Sequence, residues 1–260
     1  MPDHVVMFSG GAASYCAAKR VLASQERDQV TLLFTDTMME DPDLYRFLDD
    51  AERRLNHTIT RISDGRTPWE LFHEQGMIGN TRADLCSRIL KRELADRWVK
   101  ENCTDPVLYF GFDFTEPNRL EGVRRAKPWA RCEAPLMSAP LLWKDQMFAE
   151  LEADGITVPR LYSMGFTHNN CGGFCIKAGH AHFARLLHQM PDTFAHHEGQ
   201  EDLFRKNTGK DVSILRDRTG GNTSPLTMGR FREMIQSGWS FDTDDEGGCN
   251  CFAPPDADAA

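Results

Sequence analysis

The sequence predicts an α/β protein with a doubly wound, mostly parallel sheet, followed by a mainly helical, cysteine-containing C-terminal part. Short apolar runs rich in β-branched residues alternate with helical patterns up to Gly111, and this alternation stops near Pro140. Strands that alternate with helices at this spacing form βαβ units and therefore a parallel sheet. Ligands of such sheets bind beyond the carboxyl ends of the strands.

Four predicted strands and the helices between them occupy the first half of the chain. The strands cover residues 5–8, 30–34, 58–62 and 107–111. The helices cover residues 12–24, 43–55, a segment that begins at Pro68, and 85–99. The longer helices repeat apolar residues three and four positions apart, whereas the strands are short apolar runs. Pro68 suits a first helical position, where the N–H that proline lacks would have no intrahelical partner.

The second half has a different pattern. Helices are predicted over residues 143–153, 180–188 and 202–206, and the segment 165–179 is a loop rich in glycine, asparagine and cysteine. We therefore expect a core of residues 1–139 and a helical, cysteine-rich region of residues 140–252 packed on it. Residues 253–260 form a flexible tail in this prediction.

Composition and charge exclude several classes of protein. With 40% hydrophobic and 27% charged residues the chain has a globular composition, and its net charge of -9 weighs against broad, non-specific binding to nucleic acid. No apolar run is long enough to cross a membrane, and the N-terminal run is too short for a signal peptide. We expect a cytoplasmic protein of undetermined oligomeric state. Its 8 cysteines then stay reduced and serve as ligands, nucleophiles or core residues.

The segment Ser9-Gly10-Gly11-Ala12-Ala13-Ser14 joins the first strand to the first helix. Small residues let the backbone approach a ligand closely, and N–H groups at a helix N-terminus attract an anion. The segment is neither a Walker loop nor the Gly-x-Gly-x-x-Gly dinucleotide fingerprint. It predicts a phosphate or sulfate cradle, with a plain tight turn as the alternative.

Three segments in order along the chain resemble one known group of proteins. Phe8-Ser9-Gly10-Gly11-x-x-Ser14 resembles the PP-loop of the adenine nucleotide α-hydrolase superfamily. Cys86-x-x-x-x-Lys91 is similar to the segment that opens a helix in its phosphoadenosine phosphosulfate (PAPS) reductase branch. Gly111-x-x-x-x-Glu116-x-x-Arg119 is similar to the stretch after the fourth strand in that family. The chain is thus identified as a member of the PAPS reductase family.

The resemblance implies a site for ATP or a related adenine nucleotide, accompanied by Mg²⁺. The implied nucleotide-binding residues are Ser9, Gly10, Gly11, Ser14, Thr35, Asp36, Arg88, Gly111 and Arg119. The implied catalytic residues are Ser9, Ser14, Lys91 and Cys251. Arg88, Lys91 and Arg119 balance phosphate charge in this hypothesis, and each has an alternative interpretation as a surface residue.

The segment Cys171-Gly172-Gly173-Phe174-Cys175 has the spacing of metal ligands, because two glycines let both thiolates face one ion or cluster. The full set of candidate metal ligands is Cys86, Cys171, Cys175, Cys249 and Cys251. Zinc and a [4Fe–4S] cluster both stay open, since either uses four thiolates. Resemblance to adenosine phosphosulfate reductases and to sulfurtransferases of DNA phosphorothioation favours iron–sulfur. The motif around Cys171 and the cysteine-rich C-terminus also resemble phage and prophage members.

Three functions compete. The first is adenylation of an acceptor by ATP with release of pyrophosphate, followed by sulfur transfer to a nucleic acid or a small molecule. The second is reduction of a sulfonucleotide by a thiol, completed by a thioredoxin-like reductant or a cluster. Here the chain departs from the family, since it has Cys249-Asn250-Cys251 where PAPS reductases carry Glu-Cys-Gly-Leu-His. The third is a non-catalytic nucleotide-binding accessory protein with structural zinc, which the unreactive pair Ala12-Ala13 allows.

Overall fold

A central sheet of five parallel strands organises the protein in a computed structural model that describes residues 2–79, 83–218, 223–240, 242 and 244–247. The strands are β1 (Asp3–Met7), β2 (Val30–Asp36), β3 (Ile59–Ser63), β4 (Pro106–Tyr109) and β5 (Arg131–Glu133). Their order across the sheet is β3-β2-β1-β4-β5, and every neighbouring pair is parallel. The predicted α/β fold with a parallel sheet is confirmed.

Helices flank this sheet and also form most of the C-terminal part. The first group comprises α1 (Ala12–Ser24), α2 (Pro42–Leu55), α3 (Pro68–Gln75), a π-helix (Cys86–Glu93) that continues as α4 (Leu94–Asn102), α5 (Pro117–Ala126) and α6 (Lys144–Ala153). The second comprises α7 (Arg160–Ser163), α8 (His180–Gln189), α9 (Pro191–Thr208) and α10 (Met228–Gln236). Two short antiparallel strands, β6 (Leu215–Asp217) and β7 (Ser224–Leu226), lie between α9 and α10.

Capping residues fix where α3 begins and ends. The Thr67 side chain accepts a hydrogen bond from the backbone N–H of Glu70, whose carboxylate accepts one from the Thr67 N–H in return. This capping box satisfies two N–H groups that have no partner inside the helix. Gly76 ends the helix with a left-handed φ of 58°.

The alternating side chains of β1 supply two separate parts of the core. Val6 and the following Phe8 pack against α1 and α2, whereas Val5 and Met7 face α4 and α5. Successive side chains of a strand point to opposite faces, so one strand anchors both helical layers. A third cluster joins α3 to the C-terminal helices, and within it the indole N–H of Trp69 donates to Nδ1 of His197 at 2.9 Å.

The strand order creates a crevice at the carboxyl ends of β1 and β4. The chain leaves β1 for β2 on one side and returns to β4 on the other side of β1. Ligands of doubly wound sheets bind at such a reversal. The glycine segment after β1 and Gly111 after β4 therefore meet there. Contact is close: a Cβ on Gly111 would lie 2.8 Å from the backbone N of Ser14.

Several elements differ from the sequence-based prediction. The helix expected over residues 85–99 runs to Asn102, and its first two turns are π-helical. The elements α5, β5, β6, β7 and α10 were not predicted; β5 has three residues with one apolar side chain, too few to show a period. The expected limits at residues 139 and 252 stay a prediction, and residues 253–260 lie outside the described part. None of the described helices has the length and hydropathy needed to span a membrane.

Candidate functional site

A cleft of about 240 Å³ opens at the crevice between β1 and β4. Most of the predicted nucleotide-binding and catalytic residues line it: Ser9, Gly11, Ser14, Thr35, Lys91, Gly111 and Arg119. They come from four separate parts of the chain, which the parallel sheet brings to one edge.

The glycine loop forms the floor of the cleft. Gly10 has a φ of +78°, and a Cβ there would meet the side chain of Leu44 at 3.0 Å. The Ser14 hydroxyl donates to the Gly11 carbonyl at 2.7 Å and accepts from the Gly11 N–H at 3.2 Å. Ser14 thus caps α1 from within, and the amino end of that helix opens into the cleft. Such an end attracts phosphate or sulfate.

Cationic groups surround the space above the loop. The Arg119 guanidinium lies 4.4 Å from the centre of the Phe112 ring and pairs with Glu116, and its Nε is buried without a hydrogen bond to any described residue. The Lys144 ammonium lies 5.0 Å from the centre of the Tyr162 ring. Although Lys144 as a whole is exposed, withdrawal of its ammonium group from water lowers its pKa. Both cations favour an anionic ligand.

Two consecutive asparagines hold the glycine loop from the C-terminal side. Asn169 donates from Nδ2 to the Gly10 carbonyl at 2.8 Å. The amide orientation of Asn170 that satisfies its neighbours donates to the Ser9 carbonyl at 3.2 Å. These bonds occupy carbonyl oxygens of the loop.

Three of the predicted nucleotide-binding residues lie outside the lining of the cleft. Gly10 shapes the loop from behind. The Asp36 carboxylate instead accepts from the Tyr45 hydroxyl at 2.9 Å and from the Met38 N–H at 2.7 Å. Arg88 is exposed and pairs with Glu93 at 3.1 Å. Their predicted roles are therefore not supported by a contact with the cleft.

A small second cavity, the cysteine pocket, lies beside the cleft. Its lining includes three of the five predicted ligands, Cys86, Cys171 and Cys175. Cys171 has a left-handed φ of 53°, and the two glycines after it continue this sharp turn. The turn is tight, since a Cβ on Gly172 would lie 2.9 Å from the Met39 carbonyl oxygen. The spacing Cys-Gly-Gly-Phe-Cys therefore brings both cysteines to one cavity.

Lys91 lines both cavities. Its Nζ lies 3.3 Å from Oε1 of Glu40 and 3.8 Å from Sγ of Cys171. The buried Glu40 carboxylate also accepts from the Thr37 hydroxyl at 3.0 Å and from the backbone N–H of Cys171. One buried ammonium group therefore connects the cleft with the cysteine pocket.

The π-helix explains why Cys86 and Lys91 line the same pocket. Its i→i+5 hydrogen bonding widens each turn, so that residues five positions apart come to one face. In an α-helix the same pair would diverge, because that helix has 3.6 residues per turn. Single π turns are frequent at functional sites. Here the π-helix aligns a thiol with the ammonium group that reaches the cleft.

The fit of a metal centre to the cysteines is partial. The three described candidates are thiols, which suit zinc or an iron–sulfur cluster. Among the described residues, however, no group of three possible ligands converges on one point where an ion would sit. Cys249 and Cys251 lie outside the described residues. The metal centre thus stays a prediction.

Sequence reasoning missed several residues of this site. Lys144, Tyr162 and His168 line the cleft, and Glu40 anchors Lys91. The Tyr162 hydroxyl accepts from the Ala12 N–H at 3.4 Å, 150 residues away in sequence. No local pattern marks such a contact. The one signal of these contacts in the sequence is the polar segment before Cys171, and that segment indicates only a resemblance to other family members.

Comparisons with known proteins indicate the family of this chain. A family model described as the phosphoadenosine phosphosulfate reductase domain matches residues 3–168. An uncharacterised protein of Methanocaldococcus jannaschii is 31% identical over 106 residues, which are 41% of this chain. The match spans only 22% of that relative's length.

Among solved structures, the chain is similar to a phosphate complex of a phosphoadenylyl-sulfate (PAPS) reductase from Candida auris. The TM-score is 0.48 at 17% identity, with 64% of this chain and 80% of that chain covered. The predicted membership is confirmed by the family model, while a phage origin stays a prediction. Since that model covers more than half of the sequence, this chain belongs to the PAPS reductase family of nucleotide-binding, sulfur-related enzymes.

Proposed function

We propose that the chain is an ATP-using enzyme that adenylates an acceptor, releases pyrophosphate and transfers sulfur to the activated acceptor. One observation carries this proposal: Lys91 lines both the nucleotide cleft and the cysteine pocket. A phosphate group in the cleft and thiols in the pocket would then share one ammonium group. Sulfur chemistry beside an activated acceptor is what such an arrangement favours.

The proposed nucleotide contacts follow from the lining of the cleft. The N–H groups at the start of α1 and the Ser9 hydroxyl would hold phosphate oxygens, and Gly11, which has no side chain, would leave room for them. Arg119 would add a planar, charged donor, and Mg²⁺ would accompany the phosphates. Thr35, at the end of β2, would face the adenosine.

In the proposed reaction an acceptor oxygen attacks the α-phosphorus of ATP, and the bond from that phosphorus to the bridging oxygen breaks. Pyrophosphate leaves with the bond electrons, and Lys91 and Arg119 stabilise the charge that develops on the phosphates. A sulfur nucleophile then attacks the activated carbon, and the C–O bond breaks to release AMP. The acceptor is a nucleic acid or a small molecule with an activatable oxygen, and the sulfur comes from a separate donor.

The cysteines have a proposed role as holders of a metal centre. Four of the five candidates Cys86, Cys171, Cys175, Cys249 and Cys251 would bind a [4Fe–4S] cluster in preference to zinc. Such a cluster can bind sulfur or supply electrons, whereas zinc would hold the pocket together. Cys251 is the alternative nucleophile if it is not a ligand.

Reduction of a sulfonucleotide is the second candidate function. The match of residues 3–168 to the PAPS reductase domain supports it. In this reaction a cysteine thiolate would attack the sulfate sulfur, and the S–O bond to the adenosine phosphate would break, leaving an S-sulfocysteine. A thioredoxin-like dithiol would then release sulfite from that cysteine and become a disulfide. The same cleft would hold the adenosine phosphate, so the two functions differ in the bond that breaks.

Product analysis distinguishes these functions. Protein purified without oxygen is incubated with ATP, Mg²⁺ and sulfide as sulfur donor, with bulk tRNA or fragmented DNA as acceptor, and separately with PAPS and a thiol reductant. We expect AMP and pyrophosphate from ATP, with activity lost in Lys91→Met and kept in the matched control Arg88→Ala. Sulfite from PAPS without pyrophosphate from ATP would establish the second function instead. If neither sulfite nor pyrophosphate is formed, both proposed functions are contradicted.

A further inference from the structure

The amide oxygen of Asn169 is a buried acceptor in the wall of the nucleotide cleft. The residue is 1% exposed and lines the cleft, and its Oδ1 makes no hydrogen bond to any described residue. A buried polar atom without a partner is costly, and native structures contain few of them. The position of Oδ1 therefore points to a donor that arrives with a ligand.

The orientation of this amide is fixed by the glycine loop. Nδ2 of Asn169 donates to the Gly10 carbonyl at 2.8 Å. Turning the amide over would place two oxygens, both acceptors, against each other. Nδ2 must face Gly10, and Oδ1 must then accept from another group.

We propose that Asn169 contacts the bound nucleotide, and that Oδ1 accepts a hydrogen bond from a ribose hydroxyl or from a water molecule carried by Mg²⁺. This inference rests on the proposed binding of an adenine nucleotide in the cleft. Ionised phosphate oxygens only accept hydrogen bonds, so the phosphate in the glycine loop cannot satisfy Oδ1. The donors nearest to a bound phosphate are the ribose hydroxyls and metal-bound water.

Asn169 also belongs to the segment that carries the cysteine turn. Asn170 holds the Ser9 carbonyl, and the next residue is Cys171, whose N–H donates to Glu40. Two consecutive side chains thus fix the glycine loop, and the third residue lies in the cysteine pocket. A ligand bond to Asn169 would order the same short segment that places Cys171 beside Lys91.

The test compares nucleotide probes within each variant. Dissociation constants are measured by calorimetry for ATP with Mg²⁺, ATP with EDTA, 2′-deoxy-ATP and 3′-deoxy-ATP. For the wild-type chain we expect removal of the correct donor to weaken binding about fivefold, as for one hydrogen bond of ordinary strength. In Asn169→Ala that difference should disappear. The matched control Asn170→Ala should bind every probe more weakly while keeping the difference.

The outcomes separate this inference from the function on which it rests. If the difference in affinity between ATP and a deoxy analogue disappears in Asn169→Ala, the sugar is the donor. If the difference between Mg²⁺ and EDTA disappears instead, metal-bound water is the donor. Equal affinity of the wild-type chain for all four probes would overturn the inference without needing any variant. If every difference seen for the wild-type chain persists in Asn169→Ala, the inference is also overturned, while ATP binding would still support the proposed function. If the wild-type chain binds none of the probes, both fail.

Discussion

Lys91 shows most clearly how one residue connects the two cavities. Its side chain is 7% exposed and that of Glu40 is 1% exposed, so the pair is shielded from water. Removing one partner of a buried ion pair leaves a charge in a poorly solvated place. Lys91→Met should therefore lower the free energy of unfolding by about 3–5 kcal/mol, measured by urea denaturation.

Arg88 is the matched control on the same π-helix. Its ion pair with Glu93 is exposed, with 47% and 50% of the two side chains accessible. Exposed pairs contribute little, so Arg88→Ala should change the free energy of unfolding by no more than about 0.5 kcal/mol. If Lys91→Met costs as little as this control, the buried pair is not what holds the pocket.

Gly111 is required by the close approach of two backbones. An alanine methyl group there would lie 2.8 Å from the Ser14 N and 2.9 Å from the Ala13 carbonyl carbon. Because backbone atoms cannot move aside cheaply, Gly111→Ala should cost about 1–3 kcal/mol of stability. Gly199, in the exposed part of α9, has no atom within 4 Å of its Cβ position. Gly199→Ala should stabilise the protein by about 0.5–1 kcal/mol, and thermal denaturation of both variants checks the contrast.

At this scale the sequence indicated the polar residues that follow strands, but not their partners. Ser9 and Thr35 line the cleft as expected from their positions, and Arg119 lines it as the family resemblance implies. Asp36 lies next to Thr35 at the end of β2 yet turns to Tyr45, because successive side chains of a strand point to opposite faces. The position of a residue at the end of a strand therefore predicts that it lies at the carboxyl edge of the sheet. The direction of its side chain decides whether it reaches the cleft.

At the scale of elements, α8 begins five residues after Cys175 and is capped by a distant acidic segment. The Asp245 carboxylate accepts from the His180 N–H at 3.1 Å, and the Asp245 carbonyl accepts from the Ala181 N–H at 3.0 Å. Glu246 forms an ion pair with Arg185. Residues at a helix start have no intrahelical acceptor for their N–H groups, and a carboxylate there is favourable.

Loss of this cap should loosen the start of α8. Asp245→Ala is expected to lower the free energy of unfolding by about 0.5–2 kcal/mol and to speed hydrogen exchange at the amides of His180 and Ala181. Asp211→Ala removes an acidic side chain that is 77% exposed and should leave those amides unchanged. Equal protection of both amides in Asp245→Ala and the wild-type chain would contradict the capping role.

The sequence could predict long periodic elements but not this kind of contact. Helix α1 begins and ends as expected, since its apolar residues repeat over 13 residues. The acidic segment before Gly247 has no period and no neighbour in sequence that explains it. Its role depends on a helix more than 60 residues earlier in the chain. The π-helix was missed for a related reason, because its hydrogen bonding leaves no mark in the apolar pattern.

For the whole molecule, the junction between α3 and the C-terminal helices sets a pH dependence of stability. His197 is 2% exposed and stacks on Phe174 with ring centres 3.7 Å apart. Burial, with a smaller contribution from His196, lowers the pKa of His197 to about 3. The unfolded chain, with an ordinary pKa near about 6.5, therefore binds more protons than the folded chain between these values. Stability should fall as the pH falls below about 6.5.

A variant without this histidine tests that dependence. His197→Gln should have a lower free energy of unfolding than the wild-type chain at pH 7. This difference should narrow by about 2 kcal/mol at pH 5, because only the wild-type chain loses stability through protonation of His197. Urea denaturation at both pH values measures the gap. If the free energy of unfolding changes equally in the two proteins between pH 7 and pH 5, His197 does not contribute to the pH dependence.

The fold was accessible from sequence because alternating strands and helices allow few arrangements of a sheet. The predicted parallel sheet and the glycine loop at its carboxyl edge follow from that alternation. The C-terminal part has no such restriction, and its packing depends on side chains such as Trp69 and His197 that lie 128 residues apart. How it closes the cleft was therefore not predictable from local patterns.

Titration of the purified chain with ATP and Mg²⁺, compared with the same titration of Gly11→Ala, tests the central claim that an adenine nucleotide binds at the glycine loop. Gly11 has a φ of -110°, which alanine accepts, and the added methyl group would lie in the cleft 2.9 Å from the Tyr162 hydroxyl. Calorimetry should show one ATP per wild-type chain and binding at least about tenfold weaker in Gly11→Ala, the loss of about 1.4 kcal/mol. Equal affinity in the two proteins would place the nucleotide elsewhere, and no binding to the wild-type chain would contradict the account.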